Sequence, residues 1–224
     1  MQMVPYLWGS IGAFERDGLP LVRLTALHYP DEEWAWTAVD QYLLGDRILV
    51  APVVTAGATS RSVDLPSGRW FPFEGGPGRD GGAYLVNAPI TEIPVFVPAG
   101  TLLVFYPDGV DTVVDATDTS VVTAADIGGD REVWLYPGTP TASVGQWHDD
   151  DGVIGTPQWT WSGRDEALGP PTSATFDGDP VSPIAVPGGV AFDVTGDGTL
   201  SVGGGGTLTI SRGLSTATVR VIVR

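Results

Sequence analysis

Residues 18–53 read GLPLVRLTALHYPDEEWAWTAVDQYLLGDRILVAPV. Leu19 to Tyr29 is a nearly continuous apolar run broken by Arg23 and His28, the pattern of a strand buried on both faces in a parallel sheet. Asp31 is suited to an N-cap, and Glu32 and Glu33 to the positive end of a helix dipole. Trp34, Ala38 and Tyr42 then fall on one face before Gly45 ends the segment. The spacing therefore predicts a strand plus helix unit of a parallel α/β barrel, followed by a new strand from Ile48.

Working outward, Met3, Leu7, Ile11 and Phe14 recur at helical spacing, with Pro5 in the first turn and Gly18 at the C′ position. Downstream the period changes to that of strands: Ile48 to Val54, Arg61 to Leu65, Trp70 to Phe73, Ala83 to Val86, Val95 to Val97 and Leu102 to Phe105. Pro66, Ser67 and Gly68 suit a hairpin turn, and Gly75 to Gly82 a flexible loop. After a linker-like stretch, Asp108 to Gly129, further strands are expected at Glu132 to Tyr136, Trp147, Gln158 to Trp161, Ala174 to Phe176, Val190 to Val194, Leu208 to Ile210 and Thr218 to Val223. The four glycines at 203–206 read as a turn between strands. No Lys precedes Thr207 and no helix start follows, so the order of a phosphate-binding loop is absent.

A complete eight-stranded barrel needs roughly 250 residues. This chain has 224, of which only the first fifth alternates strand and helix. The expected fold is mainly β: two consecutive antiparallel β-sandwich domains preceded by the last strand and helix of a truncated (β/α)8 barrel. The expected boundaries are 1–46, 47–118 and 119–224.

The formal net charge of -16 arises from 27 acidic and 11 basic residues, and every basic residue is Arg. Such a surface repels phosphate backbones and anionic lipid, so neither nucleic acid nor a membrane is an expected partner. The absence of Cys removes disulfides, thiol nucleophiles and Cys-ligated zinc together. Cytoplasm and periplasm both stay open. Met1 to Phe14 lacks the basic flank and apolar core of a signal peptide, and no window reaches the roughly 18 apolar residues of a membrane span.

Asp40 to Val53, DQYLLGDRILVAPV, closely resembles a segment of glycoside hydrolase family 31, the α-glucosidase and α-xylosidase family, where the barrel leads into the first C-terminal sandwich. Other pieces follow in that family's order. Gly18, Pro20 and Arg23 resemble its last barrel strand, Leu65 to Trp70 its Leu-Pro-x-Gly-x-Trp hairpin, Ile93 to Gly100 its Ile-Pro-x-Phe-Val segment, and Asp149 to Gly152 the Asp-Asp-Gly turn of its distal sandwich. Leu24 departs from the usual Pro, and Pro98 and Ala99 from a frequent Arg and Gly. The resemblance implies a retaining α-glycosidase, which uses two Asp residues about 5–5.5 Å apart. In the family both stand on earlier barrel strands, and neither signature occurs here, so no catalytic residue is assigned. The resemblance thus implies the C-terminal part of such an enzyme, inactive alone, whose partners are an α-linked oligosaccharide and the N-terminal barrel portion. The alternative is a freestanding carbohydrate-binding or assembly module.

Candidate substrate contacts are His28, Trp34 and Trp36, which lie at or just after the end of the expected last barrel strand, where barrel active sites form. Arg23, deeper on that strand, suits an ion pair with a carboxylate of the upstream barrel. Trp159 and Trp161 share one face of a strand, either as a core layer or as a glycan platform. Asp149, Asp150 and Asp151 read as turn formers rather than a catalytic pair, and His28 and His148 are too far apart to suggest a metal site. No metal or cofactor is expected. Without barrel neighbours, Leu19 to Tyr29 should be adhesive or poorly ordered.

Overall fold

The structure, a computed structural model, describes residues 1–138, 145–147 and 158–224, with side chains from 145–147 and 158 excepted. His148 and the expected turn at Asp149 to Gly152 lie outside the described residues, as does the side chain of Trp147. Contact density divides the chain into two units, one of Ser10–Ala99 and one of Met1–Gly9 with Gly100–Arg224. The division falls at Gly100, whereas the sequence suggested boundaries after residues 46 and 118.

The opening helix, α1 (Val4–Asp17), ends as its sequence predicts. The Gly18 amide donates to the Phe14 carbonyl at 2.7 Å, and Gly18 takes φ 73°, a conformation that costs a residue without Cβ little. No helix among the described residues is long and apolar enough to cross a membrane.

The Ser10–Ala99 unit is built on six strands: β1 (Val22–Arg23), β2 (Tyr42–Leu44), β3 (Ile48–Val50), β4 (Ser60–Pro72), β5 (Arg79–Asn87) and β6 (Val95–Pro98). They lie in the order β1-β2-β3-β6-β4-β5, and every pairing is antiparallel. Its core gathers Leu43, Leu49, Ala51, Val63, Leu65, Trp70 and Phe96. At about 1.5–3 kcal/mol per fully buried large apolar side chain, this cluster is a principal source of the unit's stability.

The stretch DQYLLGDRILVAPV is the inner edge of that core. Leu43, Leu49 and Ala51 are fully buried, while the flanking polar residues fasten the backbone. The buried Gln41 side chain donates to the Asp64 carbonyl at 2.7 Å and accepts from the Asp64 amide at 3.1 Å, extending the ladder of β4 by one side chain. Arg61 donates to the carbonyls of Asp40 and Pro52 and forms an ion pair with the Asp40 carboxylate at 3.2 Å.

Three expectations are corrected in this unit. The long strand from Leu19 to Tyr29 shrinks to the two residues of β1, and its partner β2 is antiparallel, not parallel. The helix from Asp31 to Gly45 is absent. Glu33–Trp36 forms a single 3-10 turn, and Tyr42–Leu44 is extended. Leu43 enters the core as a strand residue, and the Gly45 amide donates to the Leu21 carbonyl at 2.7 Å, so tertiary burial outweighs the helical spacing. The strand plus helix unit of a barrel is therefore not formed by these residues. Finally, Pro66 to Gly68 is not a hairpin turn but a bulge inside the continuous β4, where the register with β5 shifts between Leu65 and Arg69. The segment expected as a loop at Gly75 to Gly82 already joins β5 from Arg79.

The other unit contains two sheets. Its strands are β7 (Leu102–Phe105), β8 (Arg131–Leu135), β9 (Gly145–Trp147), β10 (Gln158–Trp161), β11 (Ala174–Phe176), β12 (Asp179–Val181), β13 (Ile184–Val186), β14 (Gly189–Thr195), β15 (Gly198–Val202), β16 (Thr207–Ser211) and β17 (Thr218–Val223). One sheet runs β12-β11-β15-β16-β10-β9 and the other β13-β14-β17-β8-β7. All pairings are antiparallel except β17 with β8. Alternation is clean where a face is buried: Leu208 and Ile210 point inward from β16 while Thr207, Thr209 and Ser211 stay exposed. The turn at 203–206 connects β15 to β16 as expected, with the Val202 amide donating to the Gly206 carbonyl at 3.0 Å. Only glycine fits at 206, because φ is 91° and a Cβ would lie 2.6 Å from Cη2 of Trp161.

Candidate functional site

The segment from Arg23 to Trp36 holds three of the five candidate residues, and short-range turns fix its path. After β1, Thr25–Leu27 forms a 3-10 turn, and the amides of His28 and Tyr29 both donate to the Thr25 carbonyl, at 3.1 and 2.9 Å. Pro30 then redirects the chain into the second turn at Glu33–Trp36, which lies against the first.

Tyr29 anchors the segment. Its ring packs on the Ser10–Ala99 core with its centroid 5.9 Å from that of Trp70, and burial pushes its phenol up to about 12. His28 meets the edge of Tyr29 at 4.8 Å between centroids and stays exposed to solvent. Desolvation lowers the His28 pKa; Asp46 opposes the shift, and Arg47 and Arg23 reinforce it. The shift favours the neutral imidazole, in which one nitrogen can donate and the other accept.

Both tryptophans are tethered by their indole nitrogens. Trp34 Nε1 donates to Oε2 of Glu32 at 3.1 Å, and Trp36 Nε1 donates to the Pro30 carbonyl at 2.9 Å. Trp36 is 66% exposed, so a large flat ring is held in one orientation at the surface. Glu32 is a residue that the helical reading misplaced. Its second oxygen accepts from the Ser67 amide at 2.7 Å, so one carboxylate joins the Trp34 indole to the bulge of β4. Hydrogen bonding to Ser67 lowers its pKa; desolvation opposes this, and the bond from Trp34 adds a lesser lowering. Nothing in sequence spacing announces a contact between residues 32 and 67.

Arg23 is buried at 5% exposure, and its Nε donates to the Pro20 carbonyl at 2.8 Å. No carboxylate among the described residues forms an ion pair with it. Trp159 and Trp161, the two remaining candidates, are each at 0% exposure in the other unit. Trp161 Nε1 reaches toward the Tyr136 carbonyl at 3.4 Å, and the Arg212 guanidinium sits 4.9 Å from the Trp159 ring centroid. Buried rings present no face to a sugar, so this pair is a core layer and not a glycan platform.

Residues 18–103 match the family model described as "Glycosyl hydrolase family 31 C-terminal domain". The chain carries this family 31 domain. It is 36% identical over 104 residues to the isomaltosyltransferase of Sporosarcina globispora, covering 46% of this chain and 10% of that protein. It is 41% identical over 95 residues to the sulfoquinovosidase of Escherichia coli, covering 42% of this chain and 14% of that protein. The family 31 domain thus accounts for a small part of the length of these curated relatives. In fold, the chain resembles the cycloalternan-forming enzyme of Listeria monocytogenes, solved in complex with a pentasaccharide substrate. The TM-score is 0.70 at 20% identity, over 97% of this chain and 23% of that one. The family segment from Asp40 to Val53 lies within the match, in the core edge described above.

Proposed function

We propose that this chain serves as the C-terminal part of a retaining α-glycosidase, a hydrolase of O-glycosyl bonds that acts on α-linked oligosaccharides. In this reading a (β/α)8 barrel supplies the catalytic Asp pair, residues 1–46 meet that barrel, and two sandwiches follow. Residues 1–224 alone hydrolyse nothing. The observation that carries the reading is the concentration of exposed apolar side chains between residues 11 and 39: Ile11, Phe14, Val22, Leu24, Leu27, Trp36 and Val39 all face solvent. Exposed apolar side chains concentrated in one interval of the chain support a covering partner there. Arg23 within the same interval awaits a carboxylate, since a buried guanidinium is stabilised by a charged partner. The names of the relatives, isomaltosyltransferase and alpha-glucosidase among them, support a glycoside as the substrate class.

At the rim, His28, Trp34 and Trp36 border the sugar. The pinned Trp36 ring offers a flat apolar face to a pyranose, and the neutral His28 imidazole can donate to or accept from a hydroxyl. The test is incubation of the pure chain with an aryl α-glucoside, alone and with the catalytic barrel of a family member that lacks its own C-terminal region. Turnover is expected only in the mixture, together with co-elution of the two proteins. Turnover by the chain alone, surviving removal of contaminating enzymes, overturns the reading.

A further inference from the structure

The Ser10–Ala99 unit has a groove of about 570 Å³ lined by the end of β4, both ends of β5 and the segment leading into β6. Phe73 and Glu74 come from the connection after β4, Arg79 begins β5, Asn87 ends it, and Glu92 and Ile93 lie on the approach to β6. The volume falls in the range of small-molecule sites, about 300–1,000 Å³.

Arg79 is the organising residue. Its guanidinium carbon lies 5.3 Å from the ring centroid of Tyr84 and 5.9 Å from that of Phe96. Contact with two aromatic rings holds the charge in place without using it up in an ion pair, and a guanidinium carries five N–H donors. No carboxylate among the described residues forms an ion pair with Arg79. Around it the groove mixes further groups: Asn87 both donates and accepts, the carboxylates of Glu74 and Glu92 accept, and Phe73 and Ile93 supply apolar surface.

The geometry points to a binding site for a neutral, hydroxyl-rich ligand, a saccharide unit, in this groove. An anion would have to approach two carboxylates on a protein of net charge -16, and a metal cation would have to sit beside a fixed guanidinium. A sugar meets neither obstacle. Its hydroxyls match paired donors and acceptors, and its C–H face matches the Phe73 and Ile93 surface. This site stands on residues of the Ser10–Ala99 unit and requires no barrel, so it goes beyond the function proposed above and can fail independently of it.

The experiment titrates the full 224-residue chain with isomaltotriose, and separately with inorganic phosphate and with calcium, following amide shifts by NMR. Isomaltotriose is expected to shift Asn87, Glu92 and Ile93 saturably, with a Kd on the order of 1–10 mM. Arg79→Met and Glu92→Ala should each weaken binding about tenfold. Glu92 is exposed, so the second variant keeps its fold and remains informative if the first does not fold. Absence of saturable shifts with isomaltotriose, or shifts confined to residues outside the groove, overturns the proposal. So does saturable binding of phosphate or calcium in the groove in place of the sugar, or an affinity that neither substitution changes.

Discussion

Trp36 and Trp161 show how differently one residue type behaves within this chain. Trp161 is fully buried against the turn at 203–206, with Gly206 pressed against its ring. Trp161→Ala should lower the unfolding free energy of its unit by about 3–5 kcal/mol, read by chemical denaturation, because truncation leaves a cavity. Trp36→Ala, by contrast, should stay within about 0.5–1 kcal/mol, since it removes one surface ring and one indole hydrogen bond. Equal costs at the two positions would contradict the assignment of one to the core and the other to the surface. The spacing of Trp159 and Trp161 made their shared face legible, but no local signal says which face a sheet covers. That information lies in strands distant in sequence, such as β16, whose Leu208 is paired with Trp161.

Among the elements, the antiparallel pair of β14 and β17 carries a testable charge. Asp193 and Arg220 are register partners, and the guanidinium grips the carboxylate with two bonds of 2.8 Å. Arg220 holds the Asp193 carboxyl below its usual range, first by hydrogen bonding, against a desolvation that opposes it. A carboxylate whose pKa is depressed on folding contributes stability above its unfolded pKa of about 3.9 and loses it as pH falls through the folded value. Both side chains are partly exposed, so Asp193→Asn should cost at most about 1 kcal/mol at pH 7 and 0.1 M salt. The cost should shrink as pH falls through the depressed folded value and vanish once the wild-type carboxylate is itself protonated. A cost that persists there would show the pair's charge to be irrelevant.

The same scale explains the largest misreading of the sequence. Trp34, Ala38 and Tyr42 share a helical face on paper, yet the chain turns once at Glu33–Trp36 and then extends into β2. Leu43 is drawn into a core that also needs Leu49, Phe96 and Trp70, and Gln41 locks the extended path onto Asp64. Helical periodicity is a local property; the competing strand is specified by distant partners, as the pairing of β3 Leu49 with Phe96 of β6, 47 residues on, illustrates in this sheet. Strands whose alternation or turn residues were local, such as β16, and the 203–206 turn, were readable directly.

At the level of the whole molecule, charge and apolar surface oppose each other. A net charge of -16 keeps copies apart, while Ile11, Phe14, Leu27 and Trp36 favour contact. Salt shortens the reach of the repulsion from about 10 Å at 0.1 M to about 3 Å at 1 M. Sedimentation velocity of the isolated chain should therefore show association that grows with salt, and Phe14→Glu with Leu27→Glu should suppress it. Unchanged association in the double variant would place the adhesive surface elsewhere. The family was legible because its core edge is a contiguous stretch of sequence, whereas the groove around Arg79 is assembled from four separate runs of residues and has no such signature. The position of β17 carries a last consequence. It lies between β14 and β8, and its parallel partner β8 was synthesised some 88 residues earlier. Until Val223 has emerged from the ribosome, these two neighbours have no strand to share, so the sheet cannot be built strand by strand as its residues appear and closes only once β17 is available.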